Sequence, residues 1–139
     1  MPANILTPTA LLVVWSVAML VWMAATRGPA LRKLGTDKLK PGARGQDLEG
    51  VIPDEVNWKA HNYANLMEQP TIFYAAVLVL VLSGYGWLDA LLAWIYVGLR
   101  IAHSVWQAAI NRQPMRALLF LASSVVLGVL AVRALLVTL

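Results

Sequence analysis

Two trios of polar residues stand inside long apolar runs of this chain. His61, Asn65 and Glu68 are spaced i, i+4, i+7, and Arg100, His103 and Gln107 are spaced i, i+3, i+7. Either spacing puts its trio on one face of a helix. Such side chains hold anions, exchange hydrogen bonds and move protons. An ionisable group inside a bilayer costs roughly 2.5–3.5 kcal/mol on insertion scales, so it persists where it is paired or used. The two stripes therefore mark a polar interior.

The trios also match in depth. Counted from Trp58 and Ile110, Glu68 and Arg100 each lie ten residues in, Asn65 and His103 seven, and His61 and Gln107 three. At 1.5 Å per residue the deepest level is ~15 Å down, near the middle of a ~30 Å hydrocarbon core. The simplest expectation is a Glu68–Arg100 ion pair with polar pairs above it. Such a pair can serve only to lock two helices. For Asn65 and His103, binding and structural roles stand level. His61, Arg100 and Gln107 are expected to form a structural polar core.

Arg116 differs in kind. It follows Pro114, which suits the first position of a helix. Helix N-termini carry free N–H groups and about half a positive charge. An arginine there makes an anion site at the membrane boundary. The plainer alternative is an interfacial anchor on lipid phosphate. Arg112 reads as an ordinary basic residue of a connecting link.

These residues need long helices to position them, and the composition supplies them. The chain has 139 residues, 60% hydrophobic and 13% charged, with a mean hydropathy of +0.67. A soluble domain has nearer a quarter of its residues charged. The pattern predicts an all-α membrane protein, one domain over 1–139. Spanning helices are expected at about 7–26, 57–82, 87–110 and 114–138, with a polar, turn-rich loop over 27–56. Pro70 is expected to bend the second helix. The chain has no cysteine, which excludes thiolate metal sites, disulfides and a cysteine nucleophile. No metal site and no nucleic-acid partner are expected. Trp15, Trp22, Trp58, Trp87, Trp94 and Trp106 read mostly as interfacial or lipid-facing.

Positive charge sets the orientation. The first loop holds Arg27, Arg32, Lys33, Lys38, Lys40 and Arg44, the 111–116 link holds Arg112 and Arg116, and the turn over 83–88 holds no base. The positive-inside rule puts both basic connections in the cytoplasm and both termini outside. No base precedes the first apolar run, so it reads as a retained helix rather than a signal peptide. An inner or plasma membrane is the expected location. Arg133, near the outer end of the fourth helix, is expected to snorkel to the interface.

Asn65-Leu-Met-Glu68, followed by Arg100-Ile-Ala-His103 and Arg112-Gln-Pro-Met-Arg116, resembles the motifs of the MAPEG family. These are membrane-associated proteins of eicosanoid and glutathione metabolism. The likeness spans all four helices and the basic first loop. It implies a homotrimer of four-helix subunits with glutathione bound between neighbours near the cytoplasmic face. It assigns Asn65, Glu68, His103 and Arg116 to the glutathione site, with Arg116 as the catalytic arginine that stabilises the thiolate. The chain departs from the pattern where glutathione-using relatives place tyrosines, here Gln107 and Phe120. Ala64 stands where an arginine commonly precedes the motif asparagine. Each departure removes a polar contact.

The first functional reading is thus a glutathione transferase or peroxidase acting on hydrophobic electrophiles taken from membrane lipid. The second is a non-catalytic lipid-binding or scaffold protein of the same family. A small transporter with Glu68 as coupling group ranks last, because an arginine at the same depth opposes proton exchange. The orientation is testable first. With Lys38→Cys and Tyr85→Cys variants and an impermeant thiol label on intact cells, position 85 is expected to react and position 38 to stay protected. The reverse pattern inverts the topology.

Overall fold

The computed structural model describes residues 4–139, except for the Thr36 side chain. Four helices make up the bundle: α1 (Leu6–Leu34), α2 (Asp54–Ser83), α3 (Trp87–Ala109) and α4 (Met115–Leu136). All four are long and apolar enough to cross a membrane. Two short 3-10 turns, Thr36–Lys38 and Gly45–Leu48, interrupt the loop between α1 and α2. There is no strand among the described residues.

α3 is the centre of the bundle. Ala90, Ala93, Tyr96, Val97, Arg100, His103, Ser104, Gln107 and Ala108 along it are buried, and it touches each of the other three helices. α2 presents Leu66, Pro70, Phe73, Val77 and Leu80 to the core, spaced by three and four residues as one helix face requires. The rings of Phe73 and Tyr96 stack with centroids 4.4 Å apart. α1 and α4 cover the α2–α3 pair, while Val14, Val21, Leu118, Val125 and Val132 face outward. Those outward residues are the lipid-contacting surface of an integral multi-pass membrane protein.

The ends of the helices have local causes. α2 stops at Gly84, whose φ of 101° an L side chain rarely adopts. α3 starts three residues later, at Trp87, with the Gly86 N–H donating to Asp89 Oδ2 at 2.8 Å. Asn111, with φ of 52°, takes the left-handed conformation just after α3, and its N–H donates to the Trp106 carbonyl at 2.7 Å. Asparagine tolerates that conformation better than most residues.

α1 differs from the expectation. It continues eight residues past 26, through Gly28 and Pro29 to Leu34. The Arg27-to-Leu34 stretch lies beyond the apolar run but contains good helix formers such as Ala30, Leu31, Arg32 and Lys33. The rest of the loop folds back on the bundle. Arg27 Nη2 donates to the Gly45 carbonyl at 3.2 Å. The Asn57 amide donates to the Leu48 carbonyl at 3.2 Å, and Leu48 and Ile52 are buried. Trp15 also departs from a lipid-facing reading. Its indole N–H donates to Ser104 Oγ at 3.0 Å and ties α1 to α3.

Arg133 does not simply snorkel. It makes a two-point ion pair with Asp89, its Nη2 donating to Oδ2 at 3.1 Å and its Nε to Oδ1. The Asp89 side chain is 1% exposed and that of Arg133 33%. An aspartate hidden against the bundle attracts the one base on α4 that can reach it. The two exposures make the pair asymmetric. Asp89→Asn keeps a capping oxygen and leaves Arg133 free to turn outward, whereas Arg133→Met strands a buried carboxylate. Thermal unfolding in detergent is therefore expected to rank Arg133→Met as clearly less stable than Asp89→Asn, with the double variant above Arg133→Met.

Candidate functional site

At the end of the bundle that carries the long loop, α2, α3 and α4 enclose a cavity of about 410 Å³. His61 and Asn65 line it from α2, His103 and Gln107 from α3, and Arg116, Ala117 and Phe120 from α4, with Gln113 from the link. Five residues singled out by spacing, His61, Asn65, His103, Gln107 and Arg116, therefore share one space. No acidic side chain is among the lining residues.

Glu68 is not among them. Its side chain is exposed, and among the described residues it forms no ion pair with Arg100. Arg100 Nη2 instead donates to the backbone carbonyl of Asn65 at 3.1 Å and to the Asn65 side-chain oxygen. The expected Glu68–Arg100 pair is corrected accordingly. Its cause is rotational. The core face of α2 is fixed by Leu66, Phe73, Val77 and Leu80, and at about 100° per residue the His61–Asn65–Glu68 stripe lies roughly a third of a turn away. The α3 stripe, by contrast, coincides with that helix's buried face: Arg100 is 0% exposed, His103 3% and Gln107 9%. Equal depth did not mean equal direction.

The upper levels shift too. His61 pairs with Glu49 of the loop. The His103 ring packs at 5.9 Å from that of Phe120. The Arg100 guanidinium also lies over the Phe120 ring, 5.9 Å from its centroid, a cation–π contact. Arg100 Nε and Nη1 have no hydrogen-bond partner.

Arg116 is the second residue of α4 and is half-buried. Its Nη1 donates to Asn111 Oδ1. Asn111 thus ends α3 and aims the arginine, a double duty that spacing alone did not expose. Both cations at the site are held by neutral asparagine oxygens, Arg100 by Asn65 and Arg116 by Asn111. A neutral acceptor orients a guanidinium without cancelling its charge. Arg133, neutralised by Asp89, shows the structural alternative within the same chain. Arg112 is exposed, and its carbonyl accepts from the Trp106 indole at 2.9 Å.

The arrangement is an electropositive, partly open cavity lined mostly by polar side chains, with Ala117 and Phe120 as its apolar wall. Such a site favours a small anion. A family model, described as the MAPEG family, matches residues 5–136. The chain belongs to the MAPEG family. No curated protein and no solved structure gives a significant match. MAPEG members generally use glutathione as substrate or cofactor and are generally trimeric. Membership thus makes this a membrane protein of glutathione and eicosanoid metabolism.

Sequence reasoning also missed a polar seam farther along the bundle. Gln69 Nε2 donates to Ser124 Oγ at 2.7 Å, and the Tyr96 hydroxyl donates to Gln69 Oε1 at 3.2 Å. These bonds link α2, α3 and α4 beyond the cavity. Only the pattern of isolated polar residues in apolar runs could have flagged them.

The corrected pairing gives a direct test. Asn65→Ala removes the only side-chain acceptor that Arg100 has among the described residues and is expected to cost about 2 kcal/mol, the size of a hydrogen bond to a charged group. Glu68→Gln, at an exposed and unpaired position, is expected to stay within about 0.5 kcal/mol of wild type. Equilibrium unfolding in detergent measures both. A larger loss for Glu68→Gln would restore the ion pair.

Proposed function

We propose that the chain is a glutathione-dependent transferase or peroxidase for lipophilic electrophiles that enter from the bilayer. One observation carries this reading: Arg116, held by the neutral Asn111, lines a cavity without an acidic lining residue, and Arg100, held by Asn65, is buried behind its wall. Glutathione would supply the thiol nucleophile, and the polar residues present suit its anionic groups. Arg116 is assigned to the sulfur. A free thiol has a pKa near 8.5, so a fixed cation beside it raises the thiolate fraction at neutral pH. Asn65 and His103 are assigned to the rest of the tripeptide. Arg100, behind Asn65, adds positive potential without contact.

Glu68 and His61 enter this reading through assembly. Glu68 is exposed and outside the cavity, and His61 is exposed at its rim. A neighbouring copy in a homotrimer would cover both and bring Glu68 to the edge of the site. In the orientation favoured by the basic loops, the cavity opens near the cytoplasmic face and both termini lie outside. The second reading, a non-catalytic lipid-binding member, draws support from Phe120. It puts an apolar ring on the cavity wall where a polar contact would help a peptide ligand.

Arg116 separates the two. Arg116→Ala is expected to lose turnover by about a hundredfold or more, the usual effect of removing one charge-stabilising donor, with fold and assembly intact. Arg116→Lys is expected to recover part of it, since lysine keeps the charge and loses the fork. Arg112→Ala is the control and is expected to stay near wild type. Glutathione-dependent conjugation of a hydrophobic electrophile in detergent, with binding followed by titration, measures all three. Unchanged turnover in Arg116→Ala would reduce Arg116 to an interfacial anchor. Absence of any turnover in wild type, with lipid binding retained, would favour the second reading.

A further inference from the structure

A second cavity, of about 430 Å³, lies between α1, the loop and α2, and His61 is the one lining residue that it shares with the first. Met23 and Arg27 line it from α1, Arg44 and Glu49 from the loop, and Ala60 and Ala64 from α2. Its polar groups leave positive charge over. Arg27 Nη2 donates to two neutral acceptors, the Gly45 carbonyl at 3.2 Å and Asn57 Oδ1 at 3.5 Å. Neither acceptor cancels its charge, and its Nε is buried with no acceptor among the described residues. The Arg44 side chain is exposed and forms neither a cap nor an ion pair among the described residues. The one acid on the wall, Glu49, is taken by His61. Two arginines therefore outnumber one carboxylate, whatever the protonation of His61.

The loop is fitted to the first of these cations. A Cβ on Gly45 would meet Arg27 Nη1 at 3.0 Å, so glycine lets the loop close on the guanidinium without displacing it. The level of the cavity in the membrane is also set. Arg27 is the first residue past the apolar run that ends at 26, and Met23 stands one turn deeper, ~6 Å at 1.5 Å per residue. Trp22, beside Met23, has the Lys59 ammonium 5.4 Å from its ring centroid. Tryptophan and lysine gather where hydrocarbon gives way to headgroups. The cavity thus crosses that boundary, with Met23 and Ala64 toward the hydrocarbon and Arg27 and Arg44 toward the loop. The phosphates of a bilayer occupy this layer.

We propose that this cavity binds the phosphate of an anionic phospholipid, held by Arg27 and Arg44, with the acyl chains leaving past Met23 and Ala64 into the bilayer. A guanidinium presents paired N–H donors that match phosphate oxygens, and basic pockets beside spanning helices take anionic headgroups in this way. The surplus positive charge selects a lipid of net negative charge over a zwitterionic one. A soluble phosphate ester offers the same polar group but gains nothing from the apolar side of the cavity. The site stands apart from the one assigned to glutathione and does not depend on it. A lipid bound there ties the loop to α1 and α2 beside the wall that His61 shares with the Arg116 cavity.

The test uses the purified full chain in a neutral detergent, with native mass spectrometry to follow binding. The probes are phosphatidylglycerol, phosphatidylcholine and glycerol 3-phosphate. Wild type is expected to bind phosphatidylglycerol about tenfold more tightly than phosphatidylcholine, and glycerol 3-phosphate at equal concentration is expected not to displace it. Arg27→Gln and Arg44→Gln are each expected to lose about tenfold in affinity for phosphatidylglycerol, the scale of one hydrogen bond to a charged group. Arg27 also ties α1 to the loop, so Arg44→Gln, whose side chain holds nothing in place, decides the matter if Arg27→Gln does not fold. Arg32→Gln, an exposed base of α1 outside the cavity, is expected to bind as wild type does. An equal loss in Arg32→Gln and Arg44→Gln would mean a diffuse basic surface and overturn the site. Unchanged binding in Arg44→Gln, or equal affinity for the two lipids, would overturn it too. Displacement by glycerol 3-phosphate would make a soluble phosphate the ligand and overturn the membrane source.

Discussion

Arg100 carries its charge through the middle of the bundle with only the carbonyl and side-chain oxygen of Asn65 against it. The rest of the structure follows from that contact. A guanidinium in hydrocarbon must be enclosed by protein, so α3 becomes the central helix and the other three wrap it. The apolar face of α2 sets that helix's rotation, and in that rotation Asn65 reaches Arg100. Once that rotation is set, Glu68 turns away.

The choice of partner matters as much as its presence. An aspartate on Arg133 gives a neutral pair, useful for holding α3 to α4 and inert toward ligands. Asparagines on Arg100 and Arg116 leave charge in place. The same bundle thus separates two arrangements at its two ends: a neutralised pair beside the Gly84–Gly86 turn, and, beside the long loop, uncancelled positive charge that the proposed function uses to attract an anion. Preorganised charge in a site poor in water acts more strongly than the same charge in solvent. The asparagines are therefore part of the chemistry attributed to the arginines.

Much of this was legible in the sequence, and the misses share a cause. Four apolar runs bounded by Gly84, Pro114 and the basic loop specify four spanning helices. Residue spacing brought His61, Asn65, His103, Gln107 and Arg116 to one cavity, because depth along a helix follows from counting. The direction around a helix does not follow from polar residues alone. It is set by the larger apolar face, and Leu66, Phe73 and Val77 turn Glu68 outward. Asp89 and Asn111 were passed over because each sits at a helix end and reads as a cap. Their second roles depend on partners on α4, which local pattern cannot show. The helical continuation of α1 was hidden by Gly28 and Pro29, which usually mark a turn.

The firm stops at both ends of α3 also fix a length. At 1.5 Å per residue its 23 residues measure about 35 Å, and the 22 of α4 about 33 Å. α3 cannot stretch, because Gly86 and Asn111 are bound into caps at its two ends. The bundle therefore matches a hydrocarbon layer of definite thickness. In a thinner bilayer the helices must tilt, and mismatch costs fractions of a kcal/mol per Å. Tilting would lift the cavity mouth away from the acyl chains toward the headgroups. On the proposed function, bilayer thickness then becomes a control on which hydrophobic molecules reach the site, exerted without contact with the cavity's own residues.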